Sequence, residues 1–292
     1  MIKYIKNSRT ASFIAVALIY VICAVSGIFL YTALPFSPWL SLLIADVCAT
    51  AVCFVFSLIF SNASVYDPYW SVQPPVILIA FLVGTELTPL RVLLLAVILL
   101  WAIRLTANWA YTFHGLNHQD WRYTMLNEKT GVFYPIINFI GIHMVPTLIV
   151  YACTLPAVYA CLYDATLTVG SVIFIVISLL AVVLQGVSDI LMHIHRKAGK
   201  HTFIRTGPWK HSRHPNYLAE ILMWWGVGLS GAVILPNSLF VIIGAVANTL
   251  LFTFVSIPMA DGRQSRKQGF DQYKAETFAL LPFKKPTHKH AK

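Results

Sequence analysis

Long apolar runs recur along almost the whole chain, separated by short polar stretches. They cover residues 12–33, 40–60, 66–84, 89–113, 134–161, 167–193, 217–234 and 238–258. About twenty apolar residues in a row match the hydrocarbon thickness of a bilayer. Lipid cannot satisfy backbone N–H and C=O groups, so such runs must be helices. The period-two alternation of a membrane barrel is absent. The pattern therefore predicts an all-α fold, a polytopic transmembrane helix bundle of about eight spans. The third run is the irregular one, because Pro68, Pro74 and Pro75 interrupt its N-terminal half. Proline removes a backbone donor, which predicts a break where the chain lines a cavity.

Charge placement supports the count. The connections 34–39, 85–88, 163–166 and 235–237 contain no Lys or Arg. Lys3, Lys6 and Arg9, then Arg122 and Lys129, then the 196–213 stretch and the 263–292 tail hold the basic residues. Eight spans put all of these on one side, which the positive-inside rule makes cytoplasmic, with both termini there. A bacterial inner membrane fits this reading. Composition excludes a soluble globular protein: 58% of residues are hydrophobic, 11% are charged, and mean hydropathy is +0.72, against roughly 25% charged in soluble domains. The N-terminal Lys3, Lys6 and Arg9 precede an apolar run, but residues 11–33 exceed a signal-peptide core and predict a retained helix. Cys23, Cys48, Cys53, Cys153 and Cys161 form no C-x-x-C pair, so neither a zinc site nor a disulfide framework is indicated.

Ionisable groups at membrane depth are costly and are the first candidates for chemistry. Asp46, Asp67, Arg104, His143, Asp189 and Glu220 qualify. Asp46 and His143 have no motif around them and read as helix-holding residues. Asp67 lies in Ser64-Val65-Tyr66-Asp67-Pro68-Tyr69-Trp70-Ser71, and Arg104 follows Trp101 by one turn. An aspartate beside tyrosine or tryptophan in a dry cavity can hold a proton and donate it in a hydrogen bond to a carbonyl. Alternatively, Asp67 and Arg104 form a buried ion pair.

A second constellation is basic. The stretch after Asp189 carries Arg196, Lys197, Lys200, Arg205, Lys210 and Arg213, with His201, His211 and His214 among them. It ends in Trp209-Lys210-His211-Ser212-Arg213-His214-Pro215-Asn216-Tyr217, one turn before Glu220. Guanidinium forks and ammonium groups suit phosphates, which points to a nucleotide-type ligand; the alternative is a solvated loop attracted to anionic lipid. Two patterns carry less. Gly226-x-Gly228-x-x-Gly231 matches a dinucleotide fingerprint but lies inside an apolar run without a preceding strand, and predicts close helix packing. His193, His195, His211 and His214 lack a completing carboxylate or thiolate, so no metal is expected.

Taken together, Gly207–Gly226, with Ser212-Arg213-His214-Pro215-Asn216-Tyr217 and Glu220-Ile221-Leu222-Met223-Trp224-Trp225-Gly226, resembles the C-terminal domain of the steroid 5α-reductase family, particularly its bacterial DUF1295-type members. Pro258-Met259-Ala260-Asp261-Gly262-Arg263-Gln264-Ser265-Arg266, Gly269, Tyr273 and Leu281-Pro282-Phe283 fit the same family and the sterol reductases. The 66–71 and 101–104 motifs extend the likeness, which covers residues 40–283. It leaves 1–39 as an added helix before a seven-helix core and 284–292 as a basic tail.

The resemblance implies an NADPH-dependent reductase of a lipid C=C bond conjugated to a carbonyl, in a steroid-like or other substrate. By position, Asp67 takes the place of the family's carbonyl-polarising glutamate and Trp101 that of its tyrosine. Tryptophan cannot release a proton, so Tyr66 or Tyr69 is the implied donor, with Arg104 nearby. The same resemblance assigns the cofactor to Arg122, Asp189, Arg196, Arg205, Trp209, Asn216, Tyr217, Glu220, Asp261, Arg263, Arg266 and Tyr273. A monomer without a nucleic-acid partner is expected. Arg-His-Pro-x-Tyr also occurs in S-adenosylmethionine-dependent isoprenylcysteine and phospholipid methyltransferases. Those carry paired glutamates after an arginine in the tail, where this chain has Asp261-Gly262-Arg263. A non-enzymatic lipid binder is the third class, separated from both by nucleotide binding.

Overall fold

The computed structural model describes residues 1–163, 165–199, 202–235 and 239–283. The 284–292 tail and the Lys200–His201 step of the basic stretch therefore lie outside the described residues. The described chain is helical: α1 (Ile2–Asn7), α2 (Arg9–Ala33), α3 (Pro38–Ile59), α4 (Tyr69–Leu82), α5 (Pro89–Thr112), α6 (Trp121–Thr130), α7 (Tyr134–Ile137), α8 (Val145–Leu162), α9 (Val169–Lys197), α10 (Pro215–Ile234), α11 (Ile243–Leu251), α12 (Ile257–Gln264) and α13 (Phe270–Glu276). Wider π-turns at Asn138–Met144 and Phe252–Ser256 join α7 to α8 and α11 to α12.

Among the described residues, seven helical stretches are long and apolar enough to cross a membrane: Arg9–Ala33, Pro38–Ile59, Pro89–Thr112, Trp121–Leu162, Val169–Lys197, Pro215–Ile234 and Phe240–Gln264. The all-α polytopic fold holds, and the protein is an integral membrane protein. The third of the eight expected spans is different: α4 has only 14 residues, about 21 Å at 1.5 Å per residue, short of the roughly 30 Å hydrocarbon layer. The expected break is also displaced. Pro68 precedes the helix, where a missing N–H costs nothing, and α4 runs on through Pro74 and Pro75.

The chain forms two compact units, Met1–Leu87 with Ile98–Leu162 and Thr88–Val97 with Tyr163–Lys292. In the first, α2 packs along α3, and Gly27 faces Ala49 and the carbonyl of Ala45 at ordinary contact distance. Polar ties fix α1 and α2: Tyr20 Oη donates to the Val65 carbonyl (2.7 Å), Lys6 Nζ of α1 to that of Phe60 (2.8 Å), and the Leu116 amide to Ser12 Oγ (3.0 Å). In the second, α9 and α10 pack together over a seam of small residues. A Cβ on Gly226 would lie 2.0 Å from Ser178 Oγ and 2.6 Å from the Phe174 carbonyl. The glycine pattern in α10 is thus a packing surface, as its context predicts.

Candidate functional site

In the first unit the motif 64–71 forms a short 3-10 turn, Ala63–Tyr66, leading through Asp67 into α4. Asn62 caps that turn by accepting from the Ser64 amide, and its side-chain amide donates to the Leu116 and His118 carbonyls (2.7 and 2.9 Å). Asp67 accepts from Tyr123 Oη at 2.7 Å. Burial lifts its carboxyl to about 6, Asp120 pushes the same way, and Arg122, Tyr123 and Ser64 pull back. A carboxyl raised by burial beside a tyrosine hydroxyl is one that can hold a proton. Arg122 lies in this unit too, forked onto Asp120, whose carboxylate caps α6 (2.8 and 3.2 Å).

Tyr66 and Tyr69 are both buried, with ring centroids 5.4 Å apart. Tyr66 Oη pairs with Thr147 Oγ1 (2.8 Å), Thr147 with Thr50 (3.2 Å), and Thr50 with Tyr69 Oη (3.5 Å). A chain of hydroxyls therefore links the two tyrosines. Trp101 is fully buried, edge-on to Trp70 at 6.1 Å, and Arg104 is half-buried one turn further along α5. His143, placed by the π-turn, packs 4.6 Å from the Tyr66 ring; its Nδ1 meets the Asn138 carbonyl (3.0 Å), while its buried Nε2 has no partner. Sequence reasoning read His143 and Asp46 as helix-holding residues. Asp46 accepts a 2.5 Å hydrogen bond from Gln73 Nε2, which ties α3 to α4, and both side chains also line a cavity of about 400 Å³.

In the second unit the basic stretch divides by role. Arg213 and His214 are buried and turn inward onto Asp261, with Arg213 Nη2–Oδ2 at 3.0 Å and His214 Nε2–Oδ1 at 2.9 Å. Arg213 also donates to the carbonyls of Thr277 and Lys274. Their backbone amides bond the Phe278 and Ala279 carbonyls (3.1 and 3.0 Å). The motif thus staples the start of α10 to α12 and to the segment after α13. Tyr273 Oη donates to the Trp209 carbonyl, its acidity lowered by burial to a pKa of about 12. Trp209 Nε1 donates to the Ser188 carbonyl (3.2 Å). Arg205 lies over the Tyr273 ring (5.1 Å) and pairs with Glu276 (2.7 Å). Glu220 accepts from Gln185 (2.6 Å) and Trp224 (3.0 Å), tying α9 to α10.

Other members of the predicted cofactor set face outward. Arg196, Arg263 and Arg266 are exposed, and Asp189 is half-buried. His195 Nε2 and Lys267 Nζ both donate to the Thr202 carbonyl (3.1 Å each), which brings the end of α9 beside the segment after α12. Burial first, then the charges of Arg263 and Arg196, hold the Lys267 ammonium below its ordinary range. Tyr217 stacks on His214 (5.1 Å). Between them, Asn216 has a buried Oδ1 without a hydrogen-bond partner.

Comparison with known proteins adds a family. Residues 53–277 match the one described as "Protein of unknown function (DUF1295)". The chain belongs to the DUF1295 family. The matched region begins within α3 and ends just after α13, so α2 and Asp46 lie outside it. The chain is also 27% identical over 201 residues to the uncharacterized protein C594.04c of Schizosaccharomyces pombe. That alignment covers 59% of this chain and 58% of the relative, so it spans little more than half the relative's length. No solved structure matches.

Proposed function

We propose that this DUF1295 protein is an NADPH-dependent reductase of a C=C bond conjugated to a carbonyl in a lipid substrate, steroid-like or otherwise. The observation that carries the reading is that Lys267 Nζ and His195 Nε2 share the Thr202 carbonyl, which brings the end of α9 with Arg196 to the segment after α12, where the charges of Arg263 and Arg196 act on Lys267. With Asp189 as the acidic partner acting on Arg196, this basic cluster suits a multiply charged anion such as a nucleotide phosphate. Asn216 adds the complementary group: its unpartnered Oδ1 is an acceptor suited to a carboxamide N–H of nicotinamide. Arg196, Arg263, Arg266 and Lys267 would hold the phosphates and Asn216 and Tyr217 the nicotinamide end. The Arg213–His214–Asp261 staple, Trp209, Tyr273, Arg205 and Glu220 would set their positions. NADPH supplies a hydride when bound.

The first unit supports the acid half of such a reduction. Asp67, with its carboxyl near 6, keeps a proton over part of the physiological range. The Tyr66–Thr147–Thr50–Tyr69 hydroxyls can pass one along. Negative charge developing on a substrate carbonyl oxygen needs such donors. A bacterial inner membrane suits this reading; the eight-span arrangement with both termini on its cytoplasmic side would require α4, which is short of a full crossing, to complete an eighth span.

The test is equilibrium binding of NADPH to the detergent-purified protein, with NADH and S-adenosylmethionine as controls. Saturable NADPH binding is expected. Arg196→Ala should weaken it by about tenfold or more, the size of one lost charge-assisted bond. Binding of S-adenosylmethionine alone would replace the reductase with a methyltransferase.

A further inference from the structure

The cavity of about 400 Å³ lies wholly within the first unit, between α2, α3 and α4. It falls within the usual range of small-molecule sites. Its room comes from small residues on three helices, including Ala24 and Gly27 of α2, Ala45 and Ala49 of α3, and Ala80 of α4. The wall is largely apolar, with the Tyr20, Tyr31, Thr32 and Tyr69 side chains also along it; Tyr20 and Thr32 donate to the Val65 and Phe29 carbonyls, and Tyr69 pairs with Thr50. One polar pair joins α3 to α4. There Gln73 donates to Asp46 Oδ2, and both side chains are buried, each 6% exposed. Gln73 Oε1 has no partner, and Asp46 Oδ1 makes no hydrogen bond among the described residues. No Lys, Arg or His lines the cavity.

None of the lining hydroxyls bonds Gln73 Oε1 or Asp46 Oδ1, so a donor brought by a ligand would complete these acceptors, because a buried polar group without a partner costs free energy. A hydroxyl supplies that donor without bringing a charge to membrane depth, where charges are expensive. Residues near the helix ends, Thr32 of α2 and Val83 just beyond α4, also line the chamber and are exposed, so it is not sealed. We propose that this chamber is a binding site for a lipid alcohol, its hydroxyl on Gln73 and Asp46 and its apolar body between α2 and α4. The site uses α2 and the first part of α3, which the family match does not include. Tyr69, used in the reductase reading, also lines the chamber, but recognition of a hydroxyl by Gln73 and Asp46 is argued without that reading.

The experiment is photolabelling of the purified protein in phosphatidylcholine nanodiscs. The probes are a photoreactive, alkyne-tagged fatty alcohol and a photoreactive sterol, each beside its own methyl ether. Labelled peptides are mapped by mass spectrometry. At least one alcohol should label chamber residues of α2–α4 about fivefold more strongly than its ether, the size of one neutral hydrogen bond; which one does so distinguishes a chain from a ring body. Val76→Trp, which fills the chamber one turn from Gln73, should abolish that labelling, and Gln73→Leu should reduce alcohol labelling to the level of the ether. If Gln73→Leu does not fold, the ether comparison on the unmodified protein and Val76→Trp decide the matter. Equal labelling by alcohol and ether would overturn the proposal. So would labelling spread over lipid-facing positions such as Ile14 and Val25, or no chamber labelling at all.

Discussion

Asp46 and Asp261 are equally buried, each 6% exposed, yet their company is opposite. Asp261 has the Arg213 guanidinium across both oxygens and the His214 imidazole on one of them, with Lys274 Nζ 3.9 Å away. Asp46 has one amide and a cavity. A buried carboxylate saturated by partners holds elements together, since every polar atom is already used. A buried carboxyl with an open side is poor as a staple and suited to meeting a ligand. Burial alone therefore does not sort functional acids from structural ones; the count of remaining acceptors does.

The largest expected effect lies on the saturated side. Asp261→Ala strands the Arg213 guanidinium in a buried place, which should cost about 3–5 kcal/mol in reversible unfolding of the detergent-solubilised protein. Asp46→Asn keeps the bond to Gln73 and should change stability by less than about 1 kcal/mol. Equal losses for the two would break the contrast, and a larger loss at Asp46 would make it the structural residue.

The two helix seams differ in the same way, and two glycines test it. Gly226→Ala forces a Cβ onto Ser178 and the backbone of α9, an overpacking expected to cost about 1–3 kcal/mol. Gly27→Ala meets nothing nearer than 3.5 Å and replaces a poor helix former, so it should be neutral or stabilise by up to about 1 kcal/mol. Thermal unfolding of the two variants side by side checks the difference. A destabilised Gly27→Ala would mean that the α2–α3 seam is as tight as α9–α10.

These contrasts mark what could be seen from the residue order. Helices were legible because each apolar run states its own length, and the glycines of α10 were legible as packing because no strand preceded them. The short reach of α4 was not, since its apolar stretch continues past Leu82 into the next turn. The cavity was invisible because its alanines and Gly27 are scattered over three helices and meet only in space, which left Asp46 looking like a helix-holding residue alone. The basic stretch misled in a different manner: Arg213 and His214 look like ligand-seeking cations until Asp261, 47 residues beyond His214, is seen to claim them. Asp67 was singled out by the aromatic run around it, but the tyrosine that bonds it, Tyr123, lies 56 residues away and was not legible.

Asp67 stands between the two extremes, partnered by Tyr123 yet still raised to about 6. A carboxyl raised above its unfolded value, about 3.9, adds stability that is fully present below that value. The contribution is lost as pH rises through 6. The melting temperature should therefore fall between pH 5 and pH 7, and Asp67→Asn should flatten that part of the profile. An unchanged slope in the variant would remove Asp67 as a proton-holding group and weaken its role in the proposed chemistry.

The smallest effect belongs to the Arg205–Glu276 pair. Its distance, 2.7 Å, is shorter than that of Arg213–Asp261, 3.0 Å, and both lie in the same unit. By distance alone it would be the stronger tie. Its side chains are 47% and 37% exposed, however, so water and salt screen the attraction, and such pairs contribute roughly 0–1 kcal/mol. Arg205 also keeps its place over the Tyr273 and Phe203 rings when the carboxylate is gone. Glu276→Gln should therefore shift unfolding by less than about 1 kcal/mol, several times less than Asp261→Ala, and the shift should shrink further in high salt. A loss as large as that at Asp261 would show that proximity rather than burial ranks the ion pairs of this protein.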